Sequence, residues 1–324
     1  MQQTPAPAID LPRQRGAVTV RLGSLDDDLD GLNDGNELWW GQDFVADRIR
    51  SSPPDDPWMI LVGEVDQDPV GYAFVLGKGL QAGGYAMSDL YVVPHGRCRG
   101  VGRALVEALT DATREYRLPG FLLSAPDQDV ASLAIADRWG FRLVGRHRES
   151  VLDLDTLDVE TATAAVHAAE SAGFRLTPLP DDADDSTWQR AYDLSTVLWR
   201  DAPDAEGATD DMPYSVFRAF FPDPSYVVMA WRGDEPVGFT SLMDRTKDAA
   251  LNTLFTGVTR VARGHGLATG LKAAHALLMR ELGHHRIYTQ NMEGNAAILA
   301  ANDRLGFRAD SGCVDLARAV PVSG

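Results

Sequence analysis

Cysteine is nearly absent: the 324-residue chain has two, Cys98 and Cys313. Two thiols this far apart supply neither a disulfide framework nor the paired spacing of a structural zinc site, so no metal centre is expected. No apolar run approaches the ~18 residues that a membrane-spanning helix needs, which removes the membrane as a partner. Basic residues are scarce, with 30 Lys and Arg against 47 Asp and Glu and a formal net charge of −17. That balance argues against a nucleic-acid partner, whose phosphates require basic surface. It suits a cationic substrate, or simply solubility. The opening MQQTPAPAIDLPRQRG is rich in Pro and Gln and has no apolar signal core. Residues 1–16 therefore read as a flexible tail and the protein as cytoplasmic.

What the chain has is a repeat. Arg97-Cys98-Arg99-Gly100-Val101-Gly102 returns as Arg263-Gly264-His265-Gly266-Leu267-Ala268, 166 positions later. Pro69-Val70-Gly71-Tyr72 returns as Pro236-Val237-Gly238-Phe239, and Trp139-Gly140-Phe141-Arg142 as Leu305-Gly306-Phe307-Arg308. Three landmarks at nearly one offset mean two copies of one domain, each long enough to bury its own core. The expected boundaries are 17–155 for the first domain, 156–173 for an Ala- and Thr-rich connecting helix or linker, and 174–324 for the second.

Periodicity and turn chemistry fill in each copy. In the first, strands are expected at Val18–Leu22, Trp58–Val65, Val70–Leu76, Met87–Val93 and Gly120–Leu123, with closing strands at Phe141–His147 and Ser150–Leu154. Helices are expected near Asp30–Trp40, Gln42–Ile49, Val101–Tyr116 and Val130–Trp139, the last capped by Asp129. The second copy repeats the order from Phe174 to Ala317. The result is an α/β (α+β) chain of two tandem domains, each a mixed, mostly antiparallel sheet flanked by helices. It is not the strict strand–helix alternation of a doubly wound nucleotide fold.

The repeated loop is the chemical feature. A helix start leaves unpaired N–H groups and a partial positive charge. Where glycines strip side chains from that turn, a pyrophosphate can lie against the backbone. Gly100 and Gly102 do this in the first copy, and Gly264 and Gly266 in the second, with Ala268 small enough to keep the approach open. Arg97, Arg99 and Arg263 add positive charge in an acidic protein. Each loop follows a strand and precedes a long amphipathic helix, which lifts the motif above a lone Gly-x-Gly.

At these residues the chain resembles the GNAT superfamily of acyl-CoA-dependent N-acyltransferases. The family pattern Val-x-Pro-x-x-Arg-Gly-x-Gly-x-Gly/Ala is met from Val92 to Gly102 with Cys98 in place of a glycine. It is met again from Val258 to Ala268 with Arg260 in place of the proline. The resemblance spans nearly the whole chain and looks like the tandem branch of mycothiol synthase-like proteins. It implies acetyl-CoA, or another acyl-CoA, held by Val92, Val93, Arg97, Arg99, Gly100, Val101 and Gly102 in one copy. In the other the holders are Val258, Arg263, Gly264, His265, Gly266, Leu267 and Ala268. The pantetheine arm would lie between two strands that splay apart. The family's arm donors fall on Asn291 and Asn295, although Asn295 reads equally as a plain N-cap. The first copy has Ser124-Ala125-Pro126 and Asp129 there instead, so the second is the better working site.

The resemblance implies direct transfer to a primary amine of a small molecule, with backbone N–H groups near Val258 polarising the thioester carbonyl. The tyrosine that many members place four residues before Gly-Phe is missing: Ala136 and Asn302 stand there. Tyr288, near the second arm in sequence, reads as a substitute acid or as a core residue of an alternating strand. Asp89, on the strand entering the first loop, is where the family often sets a base, which an amine with pKa near ~10.4 needs. Trp39, Trp40, Trp188 and Trp199 lie on the early helices, as core or as walls of the acceptor site. Asp201, Asp204, Glu206, Asp210 and Asp211 are expected on the acceptor side. Two alternatives stand beside this reading: an acyl-CoA-binding protein whose catalysis has decayed, or one active domain with the other as scaffold. The oligomeric state is expected to be monomer or homodimer.

Overall fold

The computed structural model describes residues 9, 11–33, 41–51, 57–77, 84–202, 211–245 and 250–321. Contacts divide the chain into two compact units. The first holds Met1–Gly145, Ala205–Pro213 and Val314–Gly324; the second holds Arg146–Asp204 and Tyr214–Cys313. Among the described residues no helix is long and apolar enough to cross a membrane.

In the first unit, β1 (Arg13–Arg15), β2 (Val18–Leu22), β3 (Trp58–Val65), β4 (Asp68–Leu76) and β5 (Ala86–Val92) pair antiparallel in chain order. Strand β6 (Gly120–Pro126) joins β5 in parallel. Successive residues of β4 serve opposite faces, as a pleated strand must. Val75 and Ala73 pack with Leu105, Val106 and Leu109 of α3 (Val101–Glu115). Tyr72, Phe74 and Leu76 pack with Leu29 of α1 (Leu29–Leu32) and with Val45 and Ile49 of α2 (Gln42–Ser51). Helix α4 (Val130–Arg138), capped by Asp129, follows β6. The tail expected over 1–16 includes a strand, because Arg13–Arg15 find a ladder on β2. Trp39 and Trp40 of the first expected helix lie outside the described residues.

The second unit holds α5 (Val159–Ser171), β8 (Arg175–Pro178), α6 (Asp185–Arg200), α7 (Tyr214–Phe220), β9 (Val227–Arg232), β10 (Glu235–Arg245), β11 (Ala250–Val258), α8 (Leu267–Glu281), β12 (Arg286–Met292) and α9 (Ala296–Arg304). Strands β8 to β11 pair antiparallel in order and β12 joins β11 in parallel. The segment expected as a connection at 156–173 is the Asp158-capped helix α5, which packs on α8. Gly270 permits this approach, since a Cβ there would sit 2.9 Å from Ala169 Cβ.

The compact units depart from the sequence repeats at their ends. Strand β7 (Arg142–Asp153) was expected to close the first domain; its residues 147–153 instead pair antiparallel with β12, from His147↔Met292 to Asp153↔Arg286, in the second unit. Conversely, β13 (Arg308–Ala319) carries its last residues into the first unit, beside β6. There Asp315 accepts from Ser124 Oγ at 2.8 Å, and the Val320 N–H, just past the strand, donates to the Pro119 carbonyl at 2.8 Å. The physical reason is an edge: a parallel pair leaves the outer side of β6 and of β12 with unmet backbone groups, and an antiparallel strand covers each. The boundaries at 155 and 174 thus do not coincide with the compact units.

Candidate functional site

The two repeated loops adopt one backbone path. Val93 and Thr259 leave their strands at φ/ψ of −57/149° and −57/148°. After a 3₁₀ turn, Arg97 and Arg263 both stand at −69/160°. Gly100 (φ 95°) and Gly266 (φ 71°) then cap α3 and α8 in the left-handed region. Neither cap carries a side-chain hydrogen bond, and neither first turn has an acidic residue. Helices α4, α5, α6 and α9 are capped instead by Asp129, Asp158, Asp184 and Asn295. The bare N–H groups of α3 and α8 are therefore available to an anion. A Cβ built on Gly100, Gly264 or Gly266 would meet nothing within 4 Å, so open space lies before each turn. These features fit the pyrophosphate of an acyl-CoA.

The side chains add detail to the loops. The arginines brace the turn: Arg97 Nε donates to the Val92 carbonyl at 2.9 Å and Arg263 Nε to the Val258 carbonyl at 3.1 Å. Arg99 pairs with Asp66 at 3.2 Å. Gly102 does not open the approach, since a Cβ there would meet Trp139 Cη2 at 3.2 Å. Cys98 stands at φ 60°, where Gly264 stands at 82° in the second loop. A side chain in the left-handed region costs about 1–2 kcal/mol. Cys98→Gly should therefore raise stability by up to about 1 kcal/mol after glycine's own entropic cost, a gain of a few degrees in Tm. Calorimetric melting checks this, and a lowered Tm would contradict the correspondence of the loops.

Val93, Val101, Val258 and Leu267 turn their side chains into the core, so backbone is what they offer a ligand. Val92 and Ala268 are half-buried, and His265 is exposed with Nδ1 2.9 Å from the Arg263 carbonyl. That contact fits His265 in a loop-bracing place.

Both units hold a parted strand pair above the loop. In the second, the β11–β12 ladder runs from Leu251↔Ile287 to Thr253↔Thr289 and stops, although β11 continues to Val258 and β12 to Met292. In the first, β5 and β6 pair at Ala86↔Phe121 and Met87↔Leu122. One feature separates them. The β10–β11 register shifts between Ser241↔Phe255 and Leu242↔Thr253, leaving Leu254 as an extra residue. A bulge re-aims the strand beside it. The β4–β5 ladder runs without a shift.

Asn291 lies just past the last β11–β12 pair. Its Oδ1 accepts from Asn302 Nδ2 at 2.7 Å and from Thr289 Oγ1 at 3.3 Å. Thr289 in turn accepts from Lys272 Nζ at 3.4 Å. Lys272, Thr289 and Asn302 are all buried. Asn295 accepts from the Ile298 N–H at 3.5 Å, a long cap bond. Sequence reasoning missed this buried network. The signal was in the repeat offset, which sets Lys272, Thr289, Asn291 and Asn302 against Val106, Leu123, Ala125 and Ala136.

The catalytic candidates are placed as follows. Asp89 lies on β5 in the first unit, with its carboxylate against the hydroxyl of the buried Tyr72. That hydroxyl also reaches Asn33 Oδ1 at 2.6 Å. Tyr288 is buried on β12 with Arg245 Cζ 3.8 Å from its ring centroid. Alternation puts it on the opposite face of β12 from Asn291. On that face Glu149 accepts from Arg245 at 3.3 Å, Gln290 at 3.0 Å and Ser311 at 3.0 Å, a buried carboxylate cluster also missed in the sequence. Asp201, expected on the acceptor side, bonds Arg260 at 2.5 Å and Arg263 at 3.1 Å. The Arg260 bond holds its carboxyl below the usual range. Asp204, Glu206 and Asp210 lie outside the described residues. Trp188 is buried under Arg218, and Trp199 meets Phe255 edge-on at 5.7 Å.

Comparison with known proteins agrees with this geometry. The acetyltransferase (GNAT) family matches residues 32–141 and again 188–307. The chain is 30% identical over 266 residues to a mycothiol acetyltransferase of Clavibacter sepedonicus, covering 81% of each protein. It is 25% identical over 267 residues to that of Geodermatophilus obscurus, covering 80% of this chain and 82% of the relative. Among solved structures, a tandem GNAT protein from the clavulanic acid biosynthesis pathway superposes with a TM-score of 0.68 at 21% identity, covering 95% of this chain and 100% of that one. Two bare-ended loops, two parted strand pairs and two family matches agree: the chain belongs to the acetyltransferase (GNAT) family and is an enzyme that moves an acyl group from CoA to an amine.

Proposed function

We propose that the second copy carries turnover, that the acyl group is acetyl, and that the first copy is structural or cofactor-holding. The observation that supports this most is the parted β11–β12 pair, with the Leu254 bulge on one side and Asn291 on the other. Acetyl-CoA would supply an activated thioester. The N–H groups of Gly264 to Ala268 would hold its pyrophosphate, and Asn291 and Asn295 its arm. The Thr259 N–H donates back to the Val237 carbonyl on β10, so by alternation the Val258 N–H would be the one to polarise the thioester carbonyl on the parted side. Fixing that carbonyl precedes any proton transfer, so positioning governs the rate. Asp89 is a base candidate for the first copy, and Tyr288 is the acid candidate of the second, on the face of β12 away from Asn291.

The relatives named mycothiol acetyltransferases make a mycothiol-related amine the first acceptor to test. The protein is proposed to act in the cytoplasm as a monomer or homodimer, without nucleic-acid or membrane partners. Release of CoA thiol from acetyl-CoA, measured across mycothiol-related amines, polyamines, aminoglycosides and peptide N-termini, tests the reading. Turnover with a small amine supports it. Acetyl-CoA binding without turnover on any acceptor would favour the decayed binding protein.

A further inference from the structure

The second unit buries a lysine where its sequence counterpart in the first copy is a core valine. Lys272 lies on α8 with the ring of Phe307 4.9 Å from Nζ, and its hydrogen-bond partner is Thr289 Oγ1. An ammonium has donors and no acceptor. Thr289 must therefore accept from Lys272, which leaves its own hydroxyl proton to point at Asn291 Oδ1. Asn302 Nδ2 supplies a second donor to the same oxygen. Two donors on Oδ1 decide which way the amide faces, a choice otherwise open for any asparagine.

We propose that Lys272 is a positioning residue for the second site: through Thr289 it turns the Asn291 carbonyl inward, so that the amide nitrogen faces the parted strands as a donor to the acyl-CoA arm. This rests on the assignment of that arm to the gap between β11 and β12. The first copy holds Val106, Leu123, Ala125 and Ala136 at these places, so it builds no such donor.

The arrangement depends on protonation. Burial lowers the Lys272 pKa to about 7. A neutral amine could accept from Thr289 and reverse the chain. His275, one turn along α8, is held neutral by burial, with a pKa of about 3 and Nε2 3.1 Å from the Ser225 carbonyl. The groups facing Lys272 are the uncharged Thr289 of β12 and Phe307, just before β13, and no carboxylate contributes to its shift.

The test is calorimetric titration of the full chain with acetyl-CoA. Each variant is compared with the same variant carrying Gly266→Val, so that the second site is read by difference. Lys272→Met should weaken binding there fivefold or more, although residue 272 is not placed against the ligand. Its Tm should hold or rise, because a buried ammonium is replaced by an apolar chain. That gain should be largest below pH 7 and fade toward pH 10.5, where the unfolded lysine also loses its proton. Thr289→Val should weaken binding similarly, and the double variant should be no worse than either alone. The wild-type advantage over Lys272→Met should fade as pH rises through 7. An unchanged affinity in Lys272→Met while Asn291→Ala weakens binding would overturn the relay and leave the site standing. Unchanged affinity in Asn291→Ala would remove Asn291 from the site, and no binding to wild type would remove the functional reading itself.

Discussion

Gly266→Val should weaken acetyl-CoA binding at the second site by at least tenfold, about 1.4 kcal/mol. The glycine caps α8 at φ 71°, and a Cβ there projects into open space rather than into protein. A valine would place two methyl groups where the pyrophosphate is proposed to lie against bare N–H groups. It would also strain the turn by about 1–2 kcal/mol, because a branched residue rarely adopts that φ. Gly266→Ala separates the two effects, carrying most of the strain with little of the bulk. Calorimetry on both variants should show Val much weaker than Ala. Equal, near-wild-type affinity in both would remove the loop from the binding site. In the first loop the matching test is Gly100→Val, since Gly102 faces Trp139 rather than the open turn.

Asn291→Ala combined with Asn295→Ala should lower kcat/KM well over tenfold, whereas Asp89→Asn should change it little. Each lost hydrogen bond to a bound group is worth about 1 kcal/mol, and misplacement of the thioester adds to that. Part of the Asn295 effect is the helix cap, so Asn295→Asp is the control. The first copy caps α4 with Asp129 and shows that an aspartate serves there. Asn295→Asp should keep Tm while removing an amide donor. Asp89 belongs to the first unit, against Tyr72, where its loss should register in stability before turnover. A large loss of kcat/KM in Asp89→Asn with little in the asparagine pair would move the active site to the first copy.

Most elements could be read from local pattern. Trp58–Val65 is the strand expected from its apolar run between turn signals, and α3 and α8 begin at the residues after the Gly-rich turns. What escaped was non-local. Nothing in Arg142–Asp153 states that it pairs with β12, since an antiparallel strand reads alike whichever edge it covers. Strand β1 was hidden in a Pro- and Gln-rich stretch because Arg13–Arg15 has no apolar signal of its own. The Leu254 bulge leaves no mark in composition. A lysine on an amphipathic helix has no mark of burial in its own sequence, and only the position of Lys272 against Val106 points to a buried group. Asp201 reads with its acidic neighbours on the acceptor side, while the arginines it bonds, Arg260 and Arg263, lie some sixty residues away. The loops were the most legible part, because a glycine pattern specifies backbone directly.

The most direct test of unequal copies is steady-state acetyl transfer by Gly100→Val and Gly266→Val measured side by side on one acceptor. Gly266→Val should lose most of its kcat/KM, and Gly100→Val should keep turnover within a few fold of wild type. The opposite pattern, or equal losses, would contradict the assignment of turnover to the second copy.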